Sequence, residues 1–178
     1  MSAKSDLIIK FLQVWSWITF IGLSILTGVL IFNYFFIQYN LIGAKSLNIG
    51  FDLTGIYEQN PLLFNILVVT IILLTSLKAT SFFFITQIFE KLKIVRPFSD
   101  EMYRMINKIS IFFLSAGILG ALSYHFGKGL EKRGFELSEA NQFWNDYDAF
   151  LMMAAVVFII SQIFKRGLEL QNESDLTV

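Results

Sequence analysis

A chain of 178 residues is enough for one domain, and this one is 55% apolar, with 20 phenylalanines and only 16% charged residues, against roughly 25% charge in an ordinary soluble domain. Its 14 basic and 14 acidic residues balance to zero, which argues against a direct nucleic-acid surface, and the absence of cysteine excludes disulfides, thiolate metal sites and catalytic thiols. So much apolar surface needs a second apolar solvent, and the expected partner is the lipid bilayer.

A bilayer crossing takes about 20 mostly apolar residues. The first span is predicted at about 11–36; it carries no charge and follows Lys4 and Lys10. It is too long for the apolar region of a signal peptide and no small-residue cleavage pattern follows, so it is read as a retained helix. The second span, about 62–89, begins after Pro61, whose missing N–H costs nothing in a first turn. The third covers about 109–126. The fourth, about 148–164, is the shortest and is closed by Lys165 and Arg166. Residues 165–178 are left as a short cytoplasmic tail. Backbone groups at membrane depth must be satisfied internally, so the spans are predicted to be helical. The expected fold is all-α: an integral membrane four-helix bundle with up-down topology.

Basic residues set the orientation. The N-terminus, the second connection and the C-terminus hold nine (Lys4, Lys10, Lys91, Lys93, Arg96, Arg104, Lys108, Lys165 and Arg166), the other two connections four (Lys45, Lys128, Lys132 and Arg133). Both termini are therefore expected in the cytoplasm. Trp15 and Trp17 at one interface, and Trp144 and Tyr147 at the other, fit as aromatic anchors. The outer connections run over about 37–61 and 127–148; a short helix from Ser138 is expected to lie on the bilayer surface.

Between the second and third spans a cytoplasmic helical hairpin is predicted, broken at Pro97, which biases Arg96 away from helical geometry. Ser99 reads as the N-cap of the next helix, with Asp100 and Glu101 in its first turn and Asp100 four residues before Arg104, the favourable order for a pair. Phe98, Met102, Met105 and Ile106 would be its packing surface. The basic residues of the hairpin either only set topology and touch lipid phosphates or form a docking platform; in the second case the hairpin (Arg96, Pro97, Phe98, Ser99, Arg104) and the tail (Arg166, Gly167, Glu169, Asp175, Leu176, Thr177, Val178), otherwise a short disordered end, are candidate partner-binding segments. Glu169, Glu173 and Asp175 could pair with Lys91, Lys93, Arg96 or Arg104. An apolar residue at each of the last and third-last positions also suits strand addition into a groove.

Two polar residues stand out within the spans. Lys78 is about 20 Å of helix from Lys91, its side chain leans away from the cytoplasm, and such residues mark ion or ligand contacts or an isolated snorkelling lysine. Its expected partners are Asn33, Ser76, Ser81, Ser115 and freed carbonyls. His125, the one histidine, reads as an interfacial anchor or a pH-sensing group, with Asp146 or Asp148 able to approach it. The outer acidic residues read as a solvated face or a divalent-ion or peptide site. Ser24 with Gly28, Ala116 with Gly120, and Gly117 with Ala121 have the spacing that lets helices pack closely, within one chain or in a homo-oligomer.

The stretch from Arg96 to Glu101 (Arg-Pro-Phe-Ser-Asp-Glu), and the one from Phe164 to Gln171 followed by Glu173, Asp175 and the terminal Leu-Thr-Val, resemble the two motifs of a bacterial family called domain of unknown function 2975, which also has four spans. The resemblance implies a bacterial inner-membrane protein and, because members tend to be encoded beside small helix-turn-helix regulators, a cytosolic regulator of that kind as partner. No zinc motif, Gly-rich phosphate loop, Ser–Lys dyad at matched depth or intramembrane carboxylate pair is present, so neither an enzyme nor a cofactor is expected. The expected role is a non-enzymatic sensor or interaction partner acting through the hairpin and tail; the alternative is a subunit of an oligomeric transporter or channel with Lys78 in its pathway.

Overall fold

The computed structural model describes residues 3–39, 54–91 and 99–176. Every regular element among them is a helix: α1 (Ala3–Gln38), α2 (Thr54–Gln59), α3 (Pro61–Lys91), α4 (Asp100–Glu131), α5 (Ser138–Asn141) and α6 (Tyr147–Leu176). The four long helices carry the expected spans and are long and apolar enough to cross a membrane, the pattern of a multi-pass membrane protein.

Local chemistry accounts for where the helices begin. Asn60 accepts the Leu63 amide on its side-chain oxygen (3.1 Å), and Pro61 opens α3, as its missing N–H allows. Ser99, in extended geometry, accepts the Met102 amide at 3.2 Å, and Asp100 and Glu101 sit in the first turn of α4, facing the positive end of its dipole. On α1 the hydroxyls of Ser16, Thr19, Ser24 and Thr27 each donate to the carbonyl four residues back, which masks their polarity from an apolar surrounding.

Helix α1 packs on α3, α3 on α4, and α4, most extensively, on α6. The contacts run in opposite chain directions. Phe20 meets Phe83, while Leu30 shares a cluster with Leu63, Phe64 and Leu67. Phe84 stacks on Phe112, and Lys91 pairs with Glu101. Gly117 faces Leu151, and Gly120 faces Tyr147. Consecutive long helices are thus antiparallel neighbours, an up-down bundle. The start of α1 and the end of α6 lie at the same end as the end of α3 and the start of α4, called here the hairpin end; the opposite one is the loop end.

The outward faces are apolar too. Ile111, Leu114, Ile118 and Leu122 on α4, and Met152, Val156, Ile159 and Ile163 on α6, are exposed at helical spacing, as are Phe11, Trp15, Ile18 and Ile25 on α1. Helices apolar on every side suit lipid. Inside are two clusters. The loop-end cluster joins Ile56, Phe64, Leu67, Ile71 and Leu74 to Leu130, Leu137, Ala140, Phe143 and Trp144. The second joins Ile109, Phe113 and Ala116 to Phe150 and Ala154.

The connection from α4 to α6 folds back into the bundle. The chain reverses through Gly134, whose φ of +89° suits a residue without a Cβ, and the Phe135 amide returns to the Leu130 carbonyl at 3.2 Å. Trp144 packs over Gly127, where an added Cβ would lie 3.3 Å from the indole. Glu131 accepts from Lys128 (2.8 Å) and Asn141 (2.7 Å), and Asn141 accepts the Trp144 indole N–H (3.1 Å). Because Tyr147 abuts Gly120, α6 begins about 16 Å of helix short of the far end of α4.

This inward fold changes several expectations. Trp144 is fully buried rather than an interfacial anchor, and Tyr147 lies against Tyr124 (5.3 Å between rings). The helix from Ser138 is present as α5, but Leu137 and Ala140 are buried in the loop-end cluster, so it is tucked against the bundle. Met102, Met105 and Ile106 are buried within the bundle, so they do not form an apolar platform projecting from it. Residues 165–176 continue α6 as helix. Helix α2 has no counterpart in the expected layout; buried Ile56 and the edge-on contact of Tyr57 with Phe64 (5.2 Å) seat it.

Candidate functional site

Helix α3 carries Lys78 toward the interior. Asp146 stands immediately before α6, and its backbone carbonyl accepts the Phe150 amide (3.3 Å). At such a position an aspartate side chain ordinarily caps its own helix. Here it turns to Lys78 instead. The ammonium donates to Oδ1 (2.7 Å) and Oδ2 (2.8 Å) of Asp146 and to the Phe143 carbonyl (2.9 Å), which uses all three of its donors. The Phe150 ring lies 4.8 Å from Nζ, adding a cation–π contact. The Lys78 side chain is 9% exposed and that of Asp146 47%, so the cation is enclosed while the carboxylate is open on one side.

The pair lies far from either end of the bundle. Taking the level of Tyr147 against Gly120, it is about 18 Å of helix from Lys108 and about 12 Å from Lys128. It joins α3 to the returning segment through Phe143 and to the start of α6 through Asp146 and Phe150, where the two apolar clusters meet. Chemically it is a clasp: it holds one enclosed charge and ties α3 to the start of α6.

Of the partners expected for Lys78, a backbone carbonyl is found, that of Phe143, while its carboxylate, Asp146, was not among them. Ser76 and Ser81 donate to the carbonyls of Ile72 (2.7 Å) and Leu77 (2.9 Å) on their own helix. The Phe20–Phe83 contact sets Asn33 about 12 Å further toward the loop end than Lys78. Asn33 and Asn65 each hold a buried side-chain oxygen with no hydrogen-bond partner among the described residues. The sequence places Asp146 near His125 rather than Lys78, because it belongs to a connection whose charged residues read as solvated. The available signal was the apolar density of that connection (Phe135, Leu137, Phe143, Trp144) beside the shortest span.

His125 is exposed on α4, its ring edge-on to Tyr124 at 5.6 Å. Of the carboxylates considered for it, Asp146 is engaged by Lys78 and Asp148 accepts the Ala149 amide (2.9 Å). No group of three or more His, Asp or Glu that could hold a metal ion occurs among the described residues. Gly117 and Gly120 serve the internal α4–α6 contact, whereas Gly28 has open space around it.

At the hairpin end Arg104 pairs with Asp100 and Lys91 with Glu101, and on α6 Arg166 pairs with Glu169 (3.0 Å). Glu169 therefore pairs along its own helix rather than with the hairpin, and Gly167 is half-buried. Lys93, Arg96, Pro97, Phe98, Thr177 and Val178 lie outside the described residues, as do the side chains of Asp175 and Leu176. Comparison with protein-family models, with curated sequences and with solved structures gave no match.

Proposed function

We propose that this chain is a non-enzymatic bacterial inner-membrane protein that senses at the loop end and signals through its hairpin end to a cytosolic regulator. The observation that carries this reading is the clasp of Lys78 on Asp146. It ties the returning segment, the part that would meet an outside signal, to the start of a helix that runs on to Leu176. A change at one end of α6 thereby reaches the other through a rigid rod. The excess of basic residues, nine against four, supports both termini in the cytoplasm. The motif resemblance supports the bacterial family called domain of unknown function 2975 and a helix-turn-helix partner. The tail (Arg166, Gly167, Glu169, Asp175 and the last three residues) and the hairpin (Arg96 to Ser99, and Arg104) are the proposed contact segments.

The test is affinity purification from native membranes. Deleting residues 169–178 is expected to leave insertion intact and to remove co-purification of a DNA-binding regulator seen with the full chain. An unchanged set of partners would reject the output role of the tail.

A second reading, an oligomeric transporter or channel subunit, is favoured by the exposed side of Asp146 at the depth of the clasp. A half-open carboxylate there asks for water or for a neighbouring copy. In proteoliposomes that show a flux, Lys78→Leu is expected to abolish it; flux that survives would rule out that pathway.

A further inference from the structure

We propose that the groove between α3 and α4 at the hairpin end seats the headgroup phosphate of an anionic phospholipid. The groove has a volume of about 350 Å³ and is lined by Phe84, Gln87, Lys91, Arg104, Met105 and Lys108, with Asp100 and Glu101 completing its rim. A phosphate diester needs cationic and amide donors, and its glycerol and acyl chains need an apolar path beside them. Both are present here in the right order.

The donors are unevenly committed. Lys91 is held by Glu101 and Arg104 by Asp100. Arg104 spends Nε and Nη2 on a single oxygen of Asp100, leaving its other terminal nitrogen for a second acceptor. Lys108 has no carboxylate partner among the described residues; its ammonium rests over the Phe84 ring, 5.5 Å from the centroid. A phosphate between Lys108, Arg104 and the Gln87 amide would complete this set without breaking either ion pair.

The apolar half of the site distinguishes a lipid from a free anion. Phe84 stacks on Phe112 at 5.5 Å, and the outward face of α4 continues through Ile111 and Leu114, both exposed. The groove thus stands at the border where charged residues give way to the apolar run, the level of the headgroups. Inorganic phosphate would satisfy only the rim, whereas a lipid satisfies the rim and the strip beyond it. The site is independent of the clasp; it shares Arg104 with the proposed output hairpin, and lipid binding is read separately from co-purification of a regulator.

The full chain in detergent would be titrated with short-chain phosphatidylglycerol, with phosphatidylcholine of the same chains, and with inorganic phosphate, following thermal stability and bound lipid by native mass spectrometry. Phosphatidylglycerol is expected to bind and raise the Tm, with the other two well behind. The double variant Arg104→Gln/Lys108→Gln is expected to bind roughly thirtyfold more weakly, the effect of two charges at a headgroup surface. Lys108→Arg should retain binding, and Lys128→Gln at the loop end should leave it unchanged. Both variant side chains are exposed, and an unchanged Tm without lipid verifies the fold. Equal binding of the two lipids, full binding by the double variant, or phosphate alone matching the lipid would each overturn the proposal. If the double variant unfolds, Lys108→Gln alone decides: binding equal to the unaltered chain overturns it.

Discussion

Replacing Asp146 with asparagine is expected to destabilise the bundle by about 2–3 kcal/mol, and replacing Lys78 with methionine by clearly less. Breaking a buried pair from one side costs about 3–5 kcal/mol, mostly because the remaining charge is left uncompensated. The figure is lower here because Asp146 is 47% exposed and asparagine still offers Lys78 one acceptor. The asymmetry follows from the two exposures. Without Asp146 the ammonium stays enclosed with only the Phe143 carbonyl and the Phe150 ring. Without Lys78 the carboxylate can be hydrated from its open side. The double variant Lys78→Met/Asp146→Asn should recover to within about 1 kcal/mol of the unaltered protein, since neither position then leaves an uncompensated charge. Equilibrium unfolding in mixed micelles measures the cycle. Additive losses would remove the clasp from the account.

The second large effect is steric. Gly120→Leu is expected to cost more than about 3 kcal/mol, beyond the usual 1–3 kcal/mol of overpacking. A Cβ at Gly120 would stand 2.8 Å from the Cβ of Tyr147. That atom is fixed to the backbone and cannot rotate away, so α6 itself must move, and with it Asp146. At Gly117 the nearest atoms belong to the Leu151 side chain, although its backbone nitrogen is also only 3.0 Å away. Gly129 has nothing within 4 Å, so Gly129→Ala should be neutral or stabilising by up to about 1 kcal/mol through helix propensity. The same unfolding series gives the order; a Gly120→Leu protein as stable as Gly129→Ala would contradict the close α4–α6 packing.

The four long apolar helices, the start of α3 at Pro61, the Ser99 cap and the helix at Ser138 were legible because each rests on local chemistry: hydrophobic run length, a missing N–H, a hydroxyl acceptor. Lys78 was legible as an anomaly for the same reason. Its partner was not. Asp146 comes from a segment whose polar residues read as a solvent loop, where His125 is the neighbour that the sequence suggests. Nothing in a helical period states that such a segment doubles back along α4, since that depends on tertiary room at Gly127 and Gly120. Trp144 was misplaced on the same account, as an aromatic near a span end fits an interfacial anchor until the chain around it turns inward. Met102, Met105 and Ile106 were assigned to a free hairpin surface because the period of α4 marks an apolar face without naming what covers it.

Asp146 follows Lys78 by 68 residues in the chain. A ribosome therefore delivers the lysine well before its counter-ion has been synthesised. In a chain that inserts as it is synthesised, helix α3 would enter the membrane with a charge whose counter-ion follows only after α4. The contact can close only after α4 and the returning segment have both been made.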